Sequence, residues 1–219
     1  MRIVPASYKI ESKLSSDLLL DIERYGRTCY RSEDRIFNLE TAGKFVAMLI
    51  RRGHHSVLEH GSITVRFVCD RGVTHEIVRH RLASYSQEST RYCNYTDGKF
   101  DSEITVIKPF GLEGYAYNLW EQSCKEAEVK YFAIVAQLKE EGWDEKKIPS
   151  WARSVLPNSL KTEIVMTANP REWRHFFSLR AAPPAHPQMR EVACPLLAEF
   201  HERVPVLFDD VGDAGCLGV

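Results

Sequence analysis

Residues 62–69 alternate in character. Ile63, Val65, Phe67 and Cys69 fall on one side of an extended backbone, with Thr64, Arg66 and Val68 on the other. That period of two predicts a strand with one strongly apolar face. Residues 159–167 repeat it, setting Leu160, Thr162, Ile164 and Met166 against Lys161, Glu163 and Val165. Residues 2–10 predict only a weak edge strand, because Pro5 cannot donate to a ladder. Elsewhere the period is helical. Residues 38–52 carry Leu39, Ala42, Phe45, Val46, Leu49 and Ile50 on one stripe, and Gly53 supplies a C-terminal stop. Gly72 breaks the chain again, ahead of a short helix over 73–81. Residues 82–98 are polar and read as a loop ending at an Asp97-Gly98 turn.

A long helix follows over 112–141, with Leu119, Ala127, Tyr131, Ile134, Val135 and Leu138 inward. A second, over 144–155, carries Ile148, Trp151, Ala152 and Val155. Asn169-Pro170 is a strong helix start, since Asn caps free N–H groups and proline at the first helical position needs no partner. The helix over 170–180 turns Trp173, Phe176 and Phe177 inward and ends before Pro183-Pro184. A last helix over 187–204 presents Val192, Leu196, Leu197, Phe200 and Val204. The expected architecture is α+β: a single domain over 1–219, with a small antiparallel or mixed sheet and packed helices. No linker, repeat or low-complexity stretch divides it.

Composition narrows the function classes. The chain has 219 residues, 44% hydrophobic and 27% charged, which is the balance of a soluble globular protein. Its 29 basic and 30 acidic side chains give 29 − 30 = −1. General binding of long nucleic acid by charge is therefore disfavoured, and any phosphate recognition must be local. Cys29, Cys69, Cys93, Cys124, Cys194 and Cys216 have neither C-x-x-C nor zinc-ribbon spacing. They read as reduced thiols in a cytoplasmic protein. No apolar run approaches a membrane span, and the first residues carry no cleavage signal.

Three polar clusters resist a purely structural explanation. In His54-His55-Ser56-Val57-Leu58-Glu59-His60, adjacent histidines diverge in direction, so contact with a polar ligand is favoured over a zinc site. Arg79-His80-Arg81, the hydroxyl-rich residues 82–90 and Arg91-Tyr92 bring many donors into a short span. Arginine forks match phosphate oxygens in bidentate fashion. Residues 169–180 carry Arg171, Arg174 and Arg180 beside three aromatics that fit a core better than a cofactor contact. No G-x-G-x-x-G, P-loop or G-x-S-x-G elbow occurs. Two rival readings stay open: an RNA- or nucleotide-binding module stacking bases on Tyr85, Tyr92 and Tyr95, and a metal-dependent hydrolase built on His54, His55, Glu59 and His60.

Arg79-His80-Arg81, seven residues and then Ser89 resemble the R-H-R-x7-S signature of the flavin-dependent thymidylate synthases. The likeness takes in Ser84, Arg91 and Tyr92. His54 through Glu59-His60 resembles that family's H-x-x-x-x-E-H segment, and Arg153 to Pro157 its R-x-x-L-P segment. Residues 169–180 and His186-Pro187-Gln188 resemble its C-terminal part, so the likeness spans roughly 25–200. The family pattern commonly has Asn where Ser86 stands, and often Glu at Gln87 and Asn at His175.

The resemblance implies conversion of dUMP to dTMP by a homotetramer with shared active sites. Methylenetetrahydrofolate would give the carbon, and NADPH would give reducing equivalents through FAD. It implies FAD contacts from His54, Ser56, Glu59, Arg79, His80, Arg81, Asn169, Arg171, His175 and His186. It implies dUMP contacts from Glu76, Arg79, Gln87, Ser89, Arg91, Arg153 and Arg180, with Arg180 catalytic and no metal, nucleic acid, membrane or covalent enzyme nucleophile involved.

Overall fold

The two alternating runs form strands, and each extends to the helix that follows it. The computed structural model describes residues 1–14, 17–36, 38–212 and 216. Strands β1 (Arg2–Val4), β2 (Ser7–Ile10), β3 (Ile63–Asp70), β4 (Ala83–Gln87), β5 (Thr105–Ile107) and β6 (Lys161–Ala168) make two sheets. One is the pair β1-β5 and the other has the order β2-β3-β6-β4. The β1-β5 pair is parallel, with Ile3 opposite Val106. The helices are α1 (Asp17–Thr28), α2 (Leu39–Arg51), α3 (Arg71–Ile77), α4 (Gly114–Glu140), α5 (Ile148–Ala152), α6 (Pro170–Arg180), α7 (Pro187–Arg203) and α8 (Pro205–Phe208).

Several elements differ from expectation. Gly72 is the second residue of α3 and not a break. The polar stretch 82–98 contains β4, while α1 and β5 were not anticipated. The helix expected over 144–155 is α5 followed by a 3-10 turn over Arg153–Val155.

Contacts gather the chain into two compact units built from alternating segments. The first comprises Met1–Ser7, Val68–Ile77 and Ser86–Ile164. Its core holds Tyr95, Ile104, Val106, Cys124, Tyr131, Val135, Ile148, Ala152 and Leu160. Cys124, Tyr131 and Val135 share the inner stripe of α4, whereas Leu119 is 51% exposed and lies off it. Tyr95 packs edge-on against Tyr131, whose hydroxyl accepts the Tyr95 backbone N–H at 3.3 Å.

The second unit comprises Tyr8–Phe67, Val78–Tyr85 and Val165–Val219. Its core is aromatic: Phe67, Trp173, Phe176, Phe177, Phe200 and Phe208 are fully buried. Asn38 and Thr41 close a reciprocal capping box at the start of α2. Gly53, at φ +71°, ends that helix as predicted. Helices α1 and α2 meet where Gly26 faces Phe45; a Cβ there would come within 2.8 Å of the ring. Cys194 on α7 is disulfide-bonded to Cys216, with Cα atoms 5.4 Å apart. This corrects the expectation of six reduced thiols: Cys216 lies beside α7, a proximity that cysteine spacing alone cannot reveal. Among the described residues no helix is long and apolar enough to cross a membrane.

Candidate active site

Within the second unit, the chain leaving α2 makes a 3-10 turn over His55–Glu59. A cleft of about 410 Å³ opens beside it. Tyr30, Leu49, Gly53, His54, Ser56 and Arg171 are among its lining residues. The Tyr30 hydroxyl lies 3.0 Å from His54 Nδ1, and Arg171 forms an ion pair with Glu59. This brings together four of the expected cofactor contacts. Tyr30 was missed by the sequence reading, because nothing in its neighbourhood marks a binding residue.

Helix α6 serves two purposes. One side buries Trp173, Phe176 and Phe177, while Arg171 and His175, four residues apart, share an exposed face. Asn169 starts the helix: its Oδ1 accepts the Glu172 backbone N–H at 2.9 Å, which commits that oxygen to capping. Arg180 closes it. Its Nε donates to His80 Nε2 at 3.1 Å, and His80 Nδ1 lies 3.1 Å from Glu172 Oε1. His80 is 3% exposed and Glu172 5%. The His175 ring stands edge-on to His80 at 5.4 Å, and the Tyr85 hydroxyl donates to the His80 carbonyl at 2.6 Å. The middle histidine of the R-H-R motif is thus a buried linker, while Arg79 and Arg81 on either side are exposed.

Burial, and then the charge of Arg180 and the His175 ring, push the His80 pKa down to about 4. Burial pushes the Glu172 carboxyl up. The folded protein therefore binds fewer protons at His80 than the unfolded chain between about pH 4 and 6.5. Stability from this group is complete above pH 6.5 and falls as pH drops toward 4, by about 3 kcal/mol in all. Glu172 titrates in the opposite sense, so wild type is compared with His80→Asn. The wild-type Tm is expected to fall more steeply over that window; equal slopes reject the assignment.

His80, Glu172 and His175 form, among the described residues, the group of potential metal ligands within 4.8 Å of one another. The geometry opposes a cation. Arg180 takes the His80 Nε2 lone pair and brings a positive charge to the same spot. The histidines of the hydrolase reading also point elsewhere: His54 to Tyr30, and His60 against the Tyr25 ring at 4.7 Å. The base-stacking reading loses Tyr95 to the core and commits the Tyr85 hydroxyl to His80.

In the first unit a cleft of about 510 Å³ is lined by Arg71, His75, Thr90, Ser150, Arg153 and Asn158, among others. Arg153 Nη1 donates to Thr90 Oγ1 at 3.3 Å. Arg71 Nη1 is buried with no hydrogen-bond partner among the described residues. Two guanidinium groups with the Thr90 and Ser150 hydroxyls in the same cleft suit an anion of phosphate shape. Only Arg153 of this set was anticipated. Arg71 was hidden because its neighbourhood reads as an ordinary strand end. Gln87 is occupied locally, its Nε2 donating to Thr74 at 3.1 Å. Ser89 turns the chain, its carbonyl accepting from Tyr92 and Cys93. Arg91 lies over the exposed Tyr92 ring at 5.6 Å, Glu76 is half-buried on α3, and His186 is exposed at the start of α7.

Residues 15–206 match the family model described as thymidylate synthase complementing protein. The chain is 34% identical over 201 residues to the flavin-dependent thymidylate synthase of Mycobacterium tuberculosis strain H37Rv, covering 86% of this chain and 78% of that one. It is 35% identical over 205 residues to the enzyme of the same name from Mycobacterium sp. strain JLS, with the same coverage. Among solved structures, the fold is similar to the UMP/dUMP methylase PolB of Streptomyces cacaoi bound with 5-Br dUMP. The TM-score is 0.70 at 23% identity, over 95% of this chain and 96% of that one.

Proposed function

The chain belongs to the family of the flavin-dependent thymidylate synthases, and we propose that it methylates dUMP to dTMP. Methylenetetrahydrofolate gives the carbon and NADPH the reducing equivalents through FAD, with no covalent bond between enzyme and substrate. The observation that carries this reading is the match over residues 15–206, which takes in every guanidinium group assigned a role.

The cleft of the second unit fits a flavin nucleotide by the chemistry of its donors. Arg171, His54 and Ser56 offer a cation and hydrogen bonds to pyrophosphate oxygens, and the half-exposed Tyr30 ring offers a flat surface. A Cβ on Gly53 would meet nothing within 4 Å, so the backbone there stays open to a ligand. Bound flavin supplies the hydride chemistry that no side chain offers. The remaining steps fall to the chain. Arg180 is assigned to the uracil N3–O4 edge, where a fixed cation stabilises negative charge as N3 loses its proton. Arg153 and Arg71 hold the phosphate, with Glu76, Arg79, Gln87, Ser89 and Arg91 completing the nucleotide site. Arg81, Glu59, His175 and His186 belong to the flavin side. A homotetramer with shared sites and a cytoplasmic address complete the proposal.

The decisive experiment is a visible spectrum of the purified protein, followed by an assay for dTMP from dUMP, methylenetetrahydrofolate, NADPH and FAD. Flavin absorbance with dTMP formation is expected; colourless protein that ignores added FAD and makes no dTMP overturns the reading. Truncating Arg153 to alanine should raise KM for dUMP about 10- to 100-fold, the value of a charge-assisted hydrogen bond, with a smaller change in kcat. An unchanged KM removes Arg153 from the phosphate site.

No thiolate is needed. Burial raises the thiol pKa of Cys69, Cys93 and Cys124, and Cys194 is bonded to Cys216. Cys29, Cys69, Cys93 and Cys124 replaced singly by alanine are each expected to leave turnover largely intact. One dead but well-folded variant refutes the non-thiol route.

A further inference from the structure

We propose that Glu172 is a positioning residue: by fixing the tautomer of His80, it holds Arg180 in the orientation the reaction uses. The inference rests on the assignment of Arg180 above, and goes beyond it to a carboxylate outside the R-H-R signature. The guanidinium Nε–H has no lone pair to offer, so the Arg180–His80 bond at 3.1 Å requires His80 Nε2 to be the acceptor. The proton of the neutral ring then sits on Nδ1, and Nδ1 lies 3.1 Å from Glu172 Oε1. A carboxylate there accepts that proton and disfavours the other tautomer. The other tautomer would turn Nε2–H against Arg180 Nε–H, donor against donor.

Local packing keeps the arrangement from drifting. Glu172 is buried on α6, two turns ahead of Arg180 on the same helix, and its backbone N–H is tied to Asn169. The His80 ring packs against Phe176 at 5.0 Å between centroids, and its carbonyl is held by Tyr85. A side chain with an orienting acid behind a histidine, and a working group in front of it, is the logic of a catalytic triad, used here to aim a cation.

The test uses full-length protein labelled with ¹⁵N-histidine, the His80 resonances being those lost in His80→Asn. The ¹⁵N shifts distinguish Nδ1–H from Nε2–H. Wild type is expected to carry the proton on Nδ1. In Glu172→Gln and Glu172→Met the Nε2–H form should gain population. Their kcat should fall about 10- to 100-fold, the range lost with histidine-orienting partners at metal sites, while KM for dUMP and flavin content hold. Two results overturn the idea: a wild-type proton on Nε2, or a folded Glu172→Met or Glu172→Gln protein with wild-type tautomer and kcat. If either variant fails to fold, the wild-type tautomer and the other variant still decide. The nitrogen shifts are read without turnover, so a wild type that makes no dTMP sinks the proposed function separately from this assignment.

Discussion

The Arg180→Ala protein is expected to purify folded and yellow, yet to form dTMP at least about a hundredfold more slowly than wild type. That factor corresponds to losing about 3–4 kcal/mol of transition-state stabilisation, the usual worth of one preorganised donor aimed at developing negative charge. Retention of flavin is expected because Arg180 is not among the residues lining the cleft proposed for it. Arg180→Lys tests the same point from another side. It keeps the charge but loses the planar fork and the Nε contact with His80, so it should recover little activity. Normal turnover in Arg180→Ala removes the assigned role.

The largest stability effect is expected from Trp173→Ala, at about 3–5 kcal/mol. Trp173 is fully buried among Phe67, Phe176, Phe177 and Phe200. Its indole N–H donates to the Ile63 carbonyl at 3.0 Å, so truncation leaves a cavity and an acceptor without its partner. Because the residue sits on α6 between Arg171 and Arg180, the damage reaches both. Urea unfolding should show a lower midpoint at nearly constant m, and Trp173→Phe should recover much of the loss. A midpoint within error of wild type contradicts the packing described.

How much of this was legible in the sequence depended on whether burial followed polarity. Strands β3 and β6 and helix α6 were readable because apolar residues occupy most of their buried positions at the correct period, despite the buried Asp70, Thr162 and Glu172. Helix α1 was not: its buried face includes Glu23 and Gly26 beside Ile22. Glu23 is fully buried; its Oε1 accepts from Arg27 one turn on, at 2.8 Å, while Oε2 has no partner among the described residues. A side chain that is polar by type yet paired by structure breaks any hydropathy pattern. Strand β4, Ala-Ser-Tyr-Ser-Gln, is mostly polar, and β5 has three residues. Among the site residues, the R-H-R motif was plain, but its inner division of labour was not. The resemblance implies a flavin contact from His80, and the fold buries its ring against Arg180 and Glu172. Glu172 and Arg71 gave no signal, because their significance lies in partners far away along the chain.

The alternation of segments between the two units bears on how the molecule is made. Residues 8–67 leave the ribosome early, yet the aromatic helices they pack with are encoded after residue 164. During synthesis the apolar faces of α1 and α2 must wait through roughly a hundred further codons, at the elongation rates typical of cells several seconds or more. A nascent chain halted before α6 should therefore be a substrate for chaperones and proteases, and neither unit can be cut out of the gene as one uninterrupted fragment.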